Sequence, residues 1–194
     1  MALKIYTQPT TEPVSLAEAK LHCKIDDTID DTLIANLITT ARETVEGISR
    51  RALITQTWDL FLDEFPEGDE IEIPFPPLQS TGLSVQYTNQ AGGAPATFAS
   101  TNYAVDIYSE PGRIKLVYGA AWPGETLYTL NGVKVRFVAG FGAAAAVPLK
   151  YKQAILLLVG HWYANREQVA GNVNLSEIPF GVMALLWLDR NLRF

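Results

Sequence analysis

Nine consecutive residues, Val159 to Glu167 (VGHWYANRE), carry a histidine, a tryptophan, a tyrosine, an asparagine, an arginine and a glutamate directly after an aliphatic run. Such groups serve acid–base chemistry, partner recognition or the solvent-reaching end of a buried helix. A second set is His22 beside Cys23, which could supply a nucleophile or a metal ligand. A third is Glu70 and Glu72, whose spacing puts two carboxylates on one strand face, where they could hold a divalent ion or act as paired acid and base. Arg113, Lys115, Lys134 and Arg136 would form a basic stripe if their strands were adjacent.

Spacing weakens each of these as a reaction centre. On a helix His161 shares a face with Asn165, Trp162 with Arg166, and Tyr163 with Glu167, so the opening stretch points three ways and cannot converge on one substrate. The end of a core helix fits it best; a partner-binding edge is second, because Trp, Tyr and Arg are favoured interface anchors. His161 is the only other histidine and Cys23 the only cysteine, so a thiolate zinc cage and an intramolecular disulfide are excluded. Nothing completes a site around Glu70 and Glu72, and charged side chains on an edge strand discourage sheet-to-sheet aggregation. The run DDTIDD lacks the glycine and distal glutamate of a calcium loop, which leaves helix capping. The basic stripe lacks stacking aromatics on its parity and reads as the wet side of a sheet. Phosphate-loop, dinucleotide-binding, nucleophile-elbow and zinc-protease patterns are absent, so no cofactor is expected.

The elements that must position these groups separate by period. Ser15 and Glu18 in SLAE form a capping box ahead of a first helix from Leu16 to about Lys24. Leu33, Leu37, Ala41, Val45 and Ile48 make one apolar stripe of a second helix, with Asp26, Asp27, Asp30 and Asp31 at its positive end and Arg50 and Arg51 at its negative end. From Gln56 to Gly142 the period shifts towards two. TWDLFLDEF and NGVKVRFVAG alternate as strands, and SEPGRIKLV places Pro111 and Gly112 at the centre of a type II turn in a hairpin. NQAGGAPATFAS reads as a loop, and IPFPPLQS has too many prolines for an interior strand. After Pro148 the pattern is helical again, with Tyr151, Ile155, Leu158 and Trp162 on one stripe but further aliphatic residues all round, so that most sides must be covered. A short apolar helix and a basic, aromatic tail end the sequence.

The reading is therefore α+β: a helical bundle formed by the N- and C-terminal segments with a β-strand insert between them. Residues 1–55 and 143–194 are its helical parts and 56–142 the insert, together one discontinuous domain. A hydrophobic share of 48% suits a packed core, which a chain of 194 residues is long enough to build. Fifteen basic against 21 acidic residues give a net charge of -6, which disfavours a DNA clamp and suits a conduit that DNA slides past. No apolar stretch approaches the ~18 residues of a membrane span and no signal-peptide core is visible, so a reducing, cytoplasmic setting is the expectation.

The sequence as a whole resembles a known family. PVSLAEAKLHCKID followed by DDTLIANLITTARETVEGISRRALITQTW, then IPFPPLQS, YAVDIYSEPGRIKL, VKVRFVAGFG and VPLKYKQAILLLVGHWYANRE, is similar in order to the head-tail connector proteins, or adaptors, of long-tailed phages, prophages and gene transfer agents. The resemblance implies a non-enzymatic virion protein of the neck, assembled in the bacterial host cytoplasm. It implies a dodecameric ring beneath the portal, linking it to a stopper or tail-completion protein around a channel for double-stranded DNA. Under that reading Trp187, Arg190, Arg193 and Phe194 are expected at the portal contact, and Tyr163, Arg166, Arg50 and Arg51 between neighbouring copies. Two other classes remain beside it. One is a phage-encoded metal-dependent hydrolase built on Glu70 and Glu72; the other is a carbohydrate-binding β module using Trp58, Tyr87, Tyr103, Tyr108 and Trp122.

Overall fold

The computed structural model describes residues 1–166 and 180–187, which divide into two compact units. Among the described residues the fold is α+β, with four α-helices and two antiparallel sheets.

Among the described residues the helical unit takes 10–54, 141–166 and 180–187. Its helices are α1 (Leu16–Cys23), α2 (Asp31–Ser49), α3 (Leu149–Ala164) and α4 (Phe180–Leu186). The capping box is formed. The Glu18 amide donates to the Ser15 hydroxyl at 3.2 Å, while the Ser15 amide donates to the Glu18 carboxylate at 2.7 Å, satisfying two donors that helix geometry leaves unpaired. These hydrogen bonds from Ser15 hold the Glu18 carboxyl below its ordinary range. α1 ends at Lys24 in the left-handed region (φ 58°), and α2 ends the same way at Arg50 (φ 56°).

The apolar stripe of α2 keeps Ala41 and Val45 but otherwise falls one residue later than its spacing suggests. Ile34, Ile38, Ala41 and Val45 are buried, whereas Leu33, Leu37 and Ile48 flank them half-buried. The shift follows from Arg42 and Glu46, which sit on the inward face despite their charge. Arg42 donates to Glu12 (2.8 Å) and Glu46 (2.7 Å), and the second oxygen of Glu46 accepts the Leu53 amide at 2.7 Å. A buried ion network of this kind persists because every member is paired. α3 supplies Tyr151, Ala154, Ile155, Leu158 and Val159 to the same core, and Val182 and Leu186 of α4 complete it. Gly160 allows α1 close to α3: a Cβ there would stand 3.2 Å from His22 Nε2.

The β unit takes residues 1–9 and 55–140. Its strands are β1 (Ala2–Thr7), β2 (Gln56–Leu62), β3 (Glu70–Ile73), β4 (Ser84–Tyr87), β5 (Ala96–Phe98), β6 (Tyr103–Asp106), β7 (Gly112–Leu116) and β8 (Val133–Ala139). They form a five-stranded sheet in the order β1-β2-β8-β4-β5 and a three-stranded sheet in the order β3-β7-β6. β8 alternates strictly, with Val133, Val135, Phe137 and Ala139 buried and Lys134, Arg136 and Val138 half-covered, as period two demands. Two expectations change here. Ala2–Thr7 is a strand paired with β2, although the first 55 residues read as helical; six residues are too few for a helical period to be told from an edge strand. β5 lies inside NQAGGAPATFAS, where only Phe98 is buried, so the sequence carries almost no alternation.

The β6–β7 hairpin is present, but its turn differs from a type II turn centred on Pro111 and Gly112. Gly112 is already in the ladder opposite Ile73, and the Glu110–Pro111 bond is cis. The glycine is needed for close approach: a Cβ would stand 2.8 Å from Leu78. Asp106 organises the turn, accepting from the Ser109 hydroxyl (2.7 Å), Arg113 (2.9 Å) and the Tyr108 amide (3.0 Å). These bonds, Ser109 first, hold its carboxyl far below the ordinary carboxylate range.

Candidate functional site

The chemistry-rich end of α3 is tied into its own unit. Tyr163 donates its hydroxyl to Asp30 at 2.7 Å, Arg166 donates to the same carboxylate oxygen at 2.5 Å, and the Arg166 guanidinium lies over the Tyr163 ring at 4.8 Å. Asp30 precedes α2 and makes no capping bond to it, so DDTIDD caps less than expected; its third aspartate clamps the last turn of α3 instead. The Tyr163 hydrogen bond, then that of Arg166, lowers the Asp30 carboxyl from its ordinary value, and the same bond raises the Tyr163 phenol. Asp31 is held by Lys20 at 2.6 Å. Sequence spacing gave no sign of this clamp, because its partners are more than 130 positions apart.

The other expected contact residues fall in different places. Arg50 is exposed at the end of α2, and Arg51 is half-buried beside it. Trp187 follows α4 and is 62% exposed. Arg190, Arg193 and Phe194 lie outside the described residues. Beside Trp187 lies a feature that sequence spacing alone hides. Phe180, Met183, Ala184 and Trp187 line an apolar concavity of about 520 Å³, on the side of α4 away from Val182 and Leu186. Its signal is the i, i+3, i+4, i+7 spacing, hidden in a helix that is apolar on both faces.

The catalytic alternatives lose their geometry. Glu70 and Glu72 do share a face of β3, but they stand opposite Lys115 and Arg113 in the ladder, and Arg113 approaches Glu70 at 3.4 Å. Cross-strand pairing of opposite charges is what an exposed sheet face favours. Among the described residues no cluster of three His, Cys, Asp or Glu side chains could hold a metal ion. The four basic residues are divided between two sheets, Arg113 and Lys115 on β7 and Lys134 and Arg136 on β8; Arg136 is further engaged by Asp59 at 2.7 and 2.8 Å. His22 and His161 are on separate helices, and burial raises the Cys23 thiol, which leaves it less reactive.

The aromatics of the supposed sugar platform are mostly packed on one another. Trp58 is buried against Phe75 with ring centroids 4.8 Å apart; Trp122 stacks on Phe65 at 5.0 Å, and Tyr87 meets Phe65 edge-on at 6.0 Å. Tyr103 stacks on Phe98 at 5.9 Å. Tyr108 alone of the five is fully open, at 91% exposure. A polar concavity of about 570 Å³ is lined by Asp63, Glu64, Phe65, Glu125, Thr126 and Tyr128, among others.

Comparison with known proteins is more direct. Residues 13–96 match the family described as phage gp6-like head-tail connector protein. The chain resembles the head-tail connectors of phages. Solved structures extend the similarity of this connector-like chain beyond the matched segment. A chain in the neck of an empty gene transfer agent particle, computed with C6 symmetry, has a TM-score of 0.82 and 26% identity, with 100% of this chain and 97% of that chain covered. A chain in the neck of a native gene transfer agent particle, computed with C12 symmetry, has a TM-score of 0.79, 27% identity and the same coverage. A chain in the virion of a native gene transfer agent particle gives 0.79 and 26%, again covering 100% and 97%. None of the curated proteins matches. The family is thus one of head-tail connectors, and two of these neighbours come from particle necks and one from a virion. No described helix is long and apolar enough to cross a membrane.

Proposed function

We propose that this chain is a structural head-tail connector of the virion neck, and not an enzyme. It forms a ring beneath the portal, follows twelvefold symmetry and links the DNA-filled head to a stopper or tail-completion protein. The observation that carries the reading is the end-to-end similarity to neck chains of gene transfer agent particles, at 26–27% identity over the whole sequence. The cationic partners of Glu70 and Glu72 support it.

In the proposed organisation helical segments from both ends of the sequence make one bundle, the β-rich part is inserted into it, and the whole is one discontinuous α+β domain. The net charge of -6 suits a channel wall that repels the backbone of passing DNA and binds no sequence. The C-terminal segment that begins at Trp187, with Arg190, Arg193 and Phe194, is assigned to the portal. The Asp30-clamped pair Tyr163 and Arg166 before α2, and Arg50 and Arg51 at its far end, are assigned to contacts with neighbouring copies, so that the Val159–Glu167 stretch serves binding.

Co-sedimentation with the portal of the same particle tests this. The full chain should sediment with the portal, and truncation after Leu188 should abolish this while far-UV circular dichroism stays unchanged. Binding retained by the truncated chain would contradict the C-terminal contact; failure of the full chain to sediment would contradict the connector reading itself.

A further inference from the structure

Phe180 and Trp187 are 86% and 62% exposed, and together with Met183 and Ala184 they present a face on which none of the described residues is charged. The small Ala184 between three large side chains leaves a hole of the kind that receives a knob from another helix. The same helical unit also exposes Leu21 on α1 (81%) and Ile29 between α1 and α2 (87%). These two sets lie on different elements: α1 packs on α2 and α3, and α4 packs chiefly on α3. A closed ring of identical chains requires such a pair, because each head-to-tail contact joins two different surfaces of the same protein. Neck chains similar to this one over their whole length were resolved with C6 and C12 symmetry.

We infer that the outward face of α4 is covered by the next copy in the ring, whose Leu21 and Ile29 enter the concavity between Phe180, Met183 and Trp187. The inference rests on the ring reading and refines it: Trp187 stands at the junction, its near side towards the neighbouring copy, while the residues beyond it extend to the portal. The contact is heterologous and apolar, so salt should leave it intact.

Disulfide trapping tests the pairing. In the full chain with Cys23→Ser, the double variant Leu21→Cys, Met183→Cys would be mixed with the portal of its particle, oxidised and run on a non-reducing gel. A ladder of covalent multimers beyond the dimer is expected, with neither single variant cross-linking. Dimers from a single variant would show a two-fold contact and overturn the inference. No ladder from assemblies that electron microscopy shows to be rings would overturn it alone, leaving the connector reading in place; no rings from variant or parent would overturn both. Should the double variant not fold, Met183→Lys in the otherwise unaltered chain should abolish rings and keep a folded monomer, and unchanged rings would overturn the inference.

Discussion

The helical unit and the three-stranded sheet handle charge in opposite ways, although the five-stranded sheet also buries Asp59 against Arg136. In the helical unit a charge stands in the core: Arg42 is 3% exposed and joins Glu12 and Glu46, and through Glu46 the Leu53 amide, so that a loop, a helix and the segment after it share one network. In the three-stranded sheet of the β unit the charges stay at the surface. Arg113 and Lys115 face Glu72 and Glu70, with Lys115 and its partner Asp69 both more than half exposed. The difference teaches where each of the two stores its stability. The helical unit depends on a set of groups none of which can be removed alone, whereas the sheet depends on alternating apolar residues and leaves its wet face tolerant of change.

Four substitutions, one of them read by titration, would break or sharpen that comparison. Arg42→Ala strands two carboxylates and should destabilise the helical unit by about 3–5 kcal/mol. Amide exchange resolved by segment should show α2 and α3 losing protection first. Ile114→Ala removes a fully buried side chain from the β unit and should cost about 2–5 kcal/mol, with the loss of protection confined to β3, β6 and β7.

The clamp on Asp30 provides the titration. Its carboxyl is lowered in the folded chain, so its contribution is fully present above the ordinary carboxylate value of about 4 and is lost as pH falls through the lower folded value. Acidification should therefore loosen the last turn of α3, seen as faster exchange of the Asn165 amide. Asp30→Asn should remove that acid response, because the clamp is already open. The smallest effect belongs to Lys115→Ala, expected to change stability by less than about 1 kcal/mol in urea denaturation. A loss comparable to that of Arg42→Ala would mean that the surface ladder, too, is structural.

What was legible in the sequence followed from local physics. The capping box of Ser15 and Glu18, the strict alternation of β8 and the helix after Pro148 each depend on neighbours within a few residues. The register of the α2 stripe was misread because Arg42 and Glu46 look like surface residues until Glu12 and Leu53 are brought to them. β5 was missed for a similar reason: two of its three residues face solvent, and its place is set by Val85 and Tyr87 on β4. Among the candidate site residues, Tyr163 and Arg166 were seen, but their partner Asp30 was not, since no periodicity links α3 to the loop before α2. The apolar face of α4 was present in the sequence only as excess hydrophobicity, which does not say which side is covered.

Electron microscopy of the purified chain mixed with the portal of its particle, averaged down the symmetry axis, tests the central claim most directly. The account predicts added density as a closed ring of twelve copies beneath the portal. Bare portals at high excess of the chain would contradict it.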